Sequence, residues 1–201
     1  MSDITPRERL GRTLRRLAVD RPPVACMGGM MNAAIVEIVH NAGDALPAAH
    51  FDAARMASLA EAIAAATGFE NLAIPFCMTA EAEAYGSQID PGTLSCEPKV
   101  AKENYPDTTA VVLRPVAECV ASPRISTVLE ATAILSGRND ALPIFVSITG
   151  PISTAASIVD PPSFLKDLRR AKDAAHRLMA HVTAFLSEYA RRAVAAGADV
   201  I

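Results

Sequence analysis

Leu72-Ala-Ile-Pro-Phe-Cys-Met-Thr-Ala-Glu-Ala-Glu-Ala-Tyr-Gly86 is the stretch on which the reading of the chain turns. Leu72 to Phe76 is a short, uninterrupted apolar run, the pattern of a parallel strand buried on both faces. Directly after it come Cys77, Thr79, Glu81, Glu83 and Tyr85. Functional side chains crowded at the carboxyl end of a buried strand are what α/β barrels place at their working face. The rest of the chain reads as scaffold that repeats and supports this strand-to-loop unit.

Upstream, Asp52 is positioned to cap a helix over Ala53–Thr67, whose Met56, Leu59, Ile63 and Ala66 recur at helical spacing, and Gly68 closes it. Further back, Thr5-Pro6-Arg7-Glu8 is a helix start with a capping hydroxyl, a first-turn proline and a glutamate three residues on. That helix is expected to reach about Ala18, with Arg7, Arg9, Arg12, Arg15 and Arg16 forming a solvated basic face. Arg21-Pro22-Pro23 breaks it, and Val24–Met27 reads as a first strand ending at Gly28-Gly29. That glycine pair fits no phosphate-binding spacing and is read as the turn by which the backbone leaves the strand. Met30–Val39 is expected to be helical and Asp44–His50 to be a loop containing Pro47. His40 and His50 have no partner at metal-ligand spacing and are read as ordinary.

Downstream, Ser87–Pro115 reads as a long excursion, of a length uncommon unless functional or folded back as a cover. Ile125–Leu135 is amphipathic. After Gly137-Arg138-Asn139-Asp140, Leu142–Ile148 is a third apolar strand, leading into Thr149-Gly150-Pro151. Short helices are expected over Ser153–Val159 and Ser163–Arg170, then a long one over Asp173–Ala196 that Gly197 ends. Ala198–Ile201 begins a fourth strand. Strand and helix alternate throughout, which argues a parallel α/β sheet, either open and doubly wound or half of an eight-stranded barrel, in a single domain over residues 1–201. A fourth strand with no helix after it leaves an exposed edge, so the chain reads as incomplete and prone to self-association.

Composition narrows the function classes. Of the 201 residues 51% are hydrophobic, enough for one sizeable core, and the net charge of −3 with only 4% aromatics speaks against nucleic-acid binding. Cys26, Cys77, Cys96 and Cys119 are scattered without a CxxC pair, so neither a zinc ribbon nor a secreted disulfide framework is indicated. The polar amino terminus is no signal peptide, and no apolar run approaches a bilayer span, so a cytoplasmic protein without a membrane role is expected.

The candidate residues are weighed by chemistry. Cys77 is a thiol with no His or Lys close by in the sequence to activate it. Glu81 and Glu83 share a face if the segment is extended and diverge if it is helical; paired carboxylates suit acid–base work or the binding of a ligand's hydrogen-bond donors. Thr149 and Gly150 offer a hydroxyl and open backbone amides to a polar ligand group. His176 and His181 are five apart on the long helix and cannot share a metal on one face. These residue types describe a ligand-binding α/β scaffold and name no reaction.

Several stretches together resemble the uroporphyrinogen decarboxylase superfamily of (β/α)8 TIM barrels, and within it the corrinoid-dependent methyltransferases of the methylcobalamin:coenzyme M type. They are Thr5-Pro6-Arg7-Glu8-Arg9, Arg21-Pro22-Pro23-Val24, Ile74 to Gly86, Val128-Leu129-Glu130-Ala131, Ile148-Thr149-Gly150-Pro151, Glu188-Tyr189-Ala190 and Ala196 to Ile201. The resemblance implies strands 1–4 of the barrel, the amino-terminal part of such a protein. It implies methyl transfer from a methylated corrinoid, carried by a corrinoid protein, to coenzyme M or another small thiol. Cys77, Glu81, Glu83, Thr149 and Gly150 would then form pocket wall and orient the substrate. It also implies a catalytic zinc held by a His-x-Cys pair and a later Cys, with ligands expected beyond Ile201, so that these residues alone are expected to be inactive. Two other readings remain: a tetrapyrrole decarboxylase, against which Cys26-Met27-Gly28-Gly29-Met30-Met31 lacks the decarboxylase's arginines, and a non-catalytic half-barrel that binds a partner or dimerises.

Overall fold

The structure is a computed structural model and describes residues 4–29, 31, 35–43, 45–138 and 141–201. Helix α1 (Pro6–Leu14) starts as its sequence requires: Thr5 Oγ1 accepts a hydrogen bond from the Glu8 amide, with Pro6 in the first turn. It stops short of Ala18, because the chain turns at Arg16, whose φ is 57°. The basic face is not uniformly solvated. Arg9 is buried, bonded to Asp20 at 2.8 Å and Glu70 at 2.7 Å, and Arg7 reaches the Leu142 carbonyl at 2.9 Å and Asp199 at 3.1 Å.

The expected first strand is absent: Val24–Met27 is extended but joins no ladder. It is held by one backbone bond, from the Glu70 amide to the Val24 carbonyl at 2.7 Å, and by side chains. Glu70 accepts from the Val24 amide at 3.0 Å, and the Asn71 amide both accepts from Cys26 N and donates to Cys26 O at 2.8 Å. Gly29 serves a close approach: a Cβ added there would lie 2.2 Å from the Pro75 carbonyl oxygen. Of the helix expected over Met30–Val39, residues 30 and 32–34 lie outside the described residues, and α2 is Val36–Asn41. Asp44 also lies outside them; the remainder of that loop closes in a 3₁₀ turn at Ala48–His50.

Helix α3 (Ala53–Thr67) is capped by Asp52, which accepts from Arg55 N at 2.9 Å, and closed by Gly68 at φ 71°. It delivers the chain to β1 (Leu72–Ile74), which ends where Pro75 has no N–H to give. A short helix, α4 (Ala80–Ala84), follows. The long excursion is not structureless. It contains an antiparallel pair, β2 (Gln88–Asp90) and β3 (Lys99–Lys102), and leads into α5 (Val116–Val120). Helix α6 (Pro123–Arg138) extends the expected amphipathic helix at both ends, taking in Gly137 and Arg138; Asn139 and Asp140 lie outside the described residues. Beyond β4 (Ile144–Val146) come α7 (Pro151–Ile158), α8 (Pro161–Arg170) and α9 (Lys172–Ala195).

Strands β1 and β4 pair in parallel, Leu72 against Ile144 through Ile74 against Val146, and Val200 bridges Phe145 on the far side, also parallel. Asp199 fixes that bridge, its Oδ2 accepting from Ile144 N at 2.8 Å. The α/β class and the parallel order thus hold, while the described residues form an open sheet rather than a barrel. Helices α3 and α6 pack on each other, burying Met56, Leu59, Ile63, Val128 and Leu135, and α9 buries Leu178, Val182, Phe185 and Tyr189. At about 25 cal/mol per Å² of apolar surface removed from water, such faces are the main source of stability. Among the described residues no helix is long and apolar enough to cross a membrane.

Candidate functional site

The segment after β1 is helical, so Glu81 and Glu83 point roughly 200° apart. Glu81 turns into the core, 2% exposed. Its Oε1 accepts from the Thr149 amide at 2.9 Å and its Oε2 lies 3.0 Å from Thr149 Oγ1. Thr149 in turn accepts at its carbonyl from Thr154 Oγ1 at 3.1 Å. Two expected site residues, 68 positions apart, are therefore in direct contact, and they brace the end of β1 to the turn that follows β4. Burial pushes the Glu81 carboxyl above the usual carboxylate range, against the donors of Thr149 and the charge of Arg124.

Cys77 and Glu83 are joined through Arg124, in the first turn of α6. This side chain is 2% exposed, donates from Nη2 to Cys77 Sγ at 2.9 Å and lies with Nε 3.8 Å from Glu83 Oε2. Its guanidinium carbon sits 4.4 Å from the ring centre of Phe51, a cation–π contact. Nε and Nη1 have no hydrogen-bond partner. Burial pushes Glu83 up as well, and Arg124 opposes it. Close by, burial and the charge of Arg124 push the buried His50 down to about 4, and burial with the neighbouring Glu81 and Cys77 pushes Tyr189 well above the usual phenol range. Gly150 stands apart. It is exposed at the start of α7, and a Cβ added there meets nothing within 4 Å.

Arg124, His50 and Tyr189 are the members of this cluster that sequence reasoning passed over. Arg124 carried a signal: it stands at helical spacing with Val128, Ala131 and Leu135, so it occupies the buried stripe of an amphipathic helix. Tyr189 stands at helical spacing with Val182 and Phe185 on the buried side of α9, and its hydroxyl has no hydrogen-bond partner in the core. His50 gave no signal, because its burial follows from the 3₁₀ turn that carries it.

Zinc does not fit what is present. Cys77 and Glu83 face a guanidinium, Glu81 is engaged by Thr149, and among the described residues no group of three or more His, Cys, Asp or Glu could hold a metal ion. What the arrangement offers is a rigid, partly desolvated cluster with one cation and two carboxyls at a strand end.

Comparison with known proteins gives the chain its family. The sequence model of uroporphyrinogen decarboxylase (URO-D) matches residues 5–201. The methylcobamide:CoM methyltransferase MtbA of Methanosarcina mazei is 36% identical over the whole chain, that of Methanosarcina acetivorans 37%, and MtaA of Methanosarcina barkeri 33%. In each case the chain spans 58% of the relative's length. A solved structure of a methyltransferase from Methanosarcina mazei superposes with a TM-score of 0.88 at 31% identity, covering 98% of this chain and 58% of that one. The chain belongs to the uroporphyrinogen decarboxylase (URO-D) family, as a homologue of its methylcobamide:CoM methyltransferases.

Proposed function

We propose that the chain is part of a corrinoid-dependent methyltransferase that moves a methyl group from a methylated corrinoid to a thiol such as coenzyme M. The observation that carries this reading is the resemblance to methylcobamide:CoM methyltransferases over the chain's full length. On this reading the parallel segments through β1, β4 and Val200 belong to the wall of a (β/α)8 barrel. The donor is presented by a corrinoid protein, and it supplies an electrophilic methyl group.

The chain's own residues bind and orient. The Glu81–Thr149 brace holds two strand ends in fixed relation, which is what positioning a nucleophile against a methyl carbon demands. Arg124 places a buried positive charge behind Cys77 and Glu83, favouring anionic character in the pocket they wall. Gly150, with open space where a side chain would stand, lets a polar ligand group approach the backbone.

Because the relatives are longer, the test is complementation. The 201-residue chain is mixed with the segment of Methanosarcina mazei MtbA that it does not match, then supplied with methylcobalamin and coenzyme M. Methyl transfer is expected from the mixture and from neither part alone. A soluble complex of the two that transfers nothing would contradict the proposal.

A further inference from the structure

The surface cations of this chain are unevenly partnered. Arg12, Arg55, Arg138, Arg191 and Arg192 each pair with an acid of the same chain. The junction of α8 with α9 differs. Between 165 and 177 five cations, Lys166, Arg169, Arg170, Lys172 and Arg177, stand against two acids, in a chain of net charge −3. All five are exposed, and among the described residues none of their side chains forms a hydrogen bond or ion pair. One of the two acids is already engaged: Asp167 Oδ2 accepts from the Thr108 amide at 2.9 Å and from its hydroxyl at 2.8 Å. Asp173 alone is left to oppose the five. Arg169, Arg170, Lys172 and Arg177 border an open recess of about 600 Å³, and beside it Leu165, 61% exposed, lies among Lys166, Arg169 and Arg170.

The junction stands at the same end of the molecule as the candidate site. Helix α9 carries the chain back to Val200, whose bridge to Phe145 is parallel, so α9 begins at the carboxyl ends of the strands. Its His181 and Phe185 meet Tyr85, just past β1, with ring centres 5.9 and 5.4 Å apart. Lys172 precedes His181 on that helix and so stands about 13 Å farther out, at the usual rise of about 1.5 Å per residue. Helix α1 lies at the opposite end, where the Arg7 amide donates to the Ala141 carbonyl just before β4. A macromolecule that brings a group to the candidate site therefore approaches past the unpaired cations and not past α1.

We propose that the α8–α9 junction docks the corrinoid protein through an acidic face of that partner, an assignment that rests on the methyltransferase reading above. An acidic protein surface meets all five cations at once, and complementary charge speeds encounter and fixes orientation. Arginines around an exposed leucine suit a protein interface, in which arginine is enriched. Other anionic occupants fit less well. A single small anion finds only exposed side chains to hold it. Nucleic acid finds no aromatic side chain in the lining to stack on and a chain of negative net charge. One leucine is not the apolar face that a membrane surface requires.

The test measures association of the 201-residue chain with a methylated corrinoid protein of Methanosarcina mazei, at low and at physiological salt, beside a titration with free methylcobalamin. Arg169→Glu/Arg170→Glu reverses charge at the junction. Arg15→Glu/Arg16→Glu makes the same change of net charge on exposed arginines at the end of α1. The parent is expected to bind the corrinoid protein more tightly at low salt, the junction variant to bind it roughly tenfold or more weakly, and the α1 variant to match the parent. Free methylcobalamin should bind all three alike. Should the junction variant fail to melt as the parent does, Lys172→Glu/Arg177→Glu takes its place. Full affinity in the junction variant, equal loss in both variants, indifference to salt, or tighter binding of a single-stranded oligonucleotide than of the corrinoid protein would each overturn the docking surface alone. So would a parent chain that binds free methylcobalamin and not the corrinoid protein. A parent chain that binds neither would overturn the methyltransferase reading, and the docking with it.

Discussion

Arg124 Nη2 lies 2.9 Å from Cys77 Sγ although 47 positions separate them. This contact sets the first turn of α6 against the end of β1, and Phe51 closes the other face of the guanidinium. A buried cation with two guanidinium nitrogens, Nε and Nη1, left without hydrogen-bond partners runs against the general rule that interior charges are fully satisfied. Local rules broken inside an otherwise consistent fold mark places kept for something other than stability.

The fork geometry of Arg124 is what the site uses, so lysine is no substitute. An ammonium cannot both reach Cys77 and lie flat on Phe51. Arg124→Lys is expected to lower unfolding stability by about 1–3 kcal/mol in urea titrations. Arg124→Met removes the positive charge that opposes burial at Glu83, so the Glu83 carboxyl should titrate at still higher pH in a carbon-13 NMR titration.

Two carboxyls give opposite pH dependences. Burial raises Glu81 above its ordinary value, so the folded chain holds that proton more tightly; its contribution is present below the unfolded value and is lost as pH rises through the folded one. For Glu70 burial alone would also raise the value, but the Val24 amide, Arg21 and Arg9 together hold it low. Its contribution is present above the unfolded value and is lost as pH falls through the folded one. Urea midpoints measured against pH should therefore decline less steeply toward neutrality in Glu81→Gln and less steeply toward acid in Glu70→Gln than in the parent chain.

Thr149 gives Glu81 two hydrogen bonds, of which the side chain supplies one. Thr149→Val keeps the shape and the backbone donor and removes the hydroxyl. A loss of about 1–2 kcal/mol in chemical denaturation is expected, larger than for an exposed threonine such as Thr183.

Glycines separate close approach from openness. Gly29→Ala drives a methyl group into the Pro75 carbonyl, backbone against backbone, and should cost about 3 kcal/mol or more. Gly150→Ala meets nothing at an ordinary φ of −64° and should melt within about 0.5 kcal/mol of the parent. Paired thermal melts check both.

What was legible in the sequence was what local patterns encode. The caps at Thr5 and Asp52, the left-handed Gly68 and the apolar strands at Leu72 and Ile144 were each written in a few neighbouring residues. The Glu81 and Thr149 positions were readable because strand ends gather polar groups. Their contact was not, since it depends on the parallel pairing of β1 with β4 across the whole of α6. The first strand failed because Val24 and Cys26 keep a single backbone bond, from Glu70, and are otherwise held by the Glu70 and Asn71 side chains, which no periodicity reveals. Arg9 read as solvated because its acids, Asp20 and Glu70, lie outside its helix. The β2–β3 pair hid in Ser87–Pro115, which read as a long excursion, functional or folded back as a cover.

The most direct measurement is equilibrium binding of methylcobalamin by the 201-residue chain, followed by visible absorbance beside a parallel titration with uroporphyrin. The account predicts saturable methylcobalamin binding, weakened in Arg124→Met, and no comparable affinity for the porphyrin polycarboxylate. Tight uroporphyrin binding with none for methylcobalamin would contradict it and move the chain to tetrapyrrole decarboxylation.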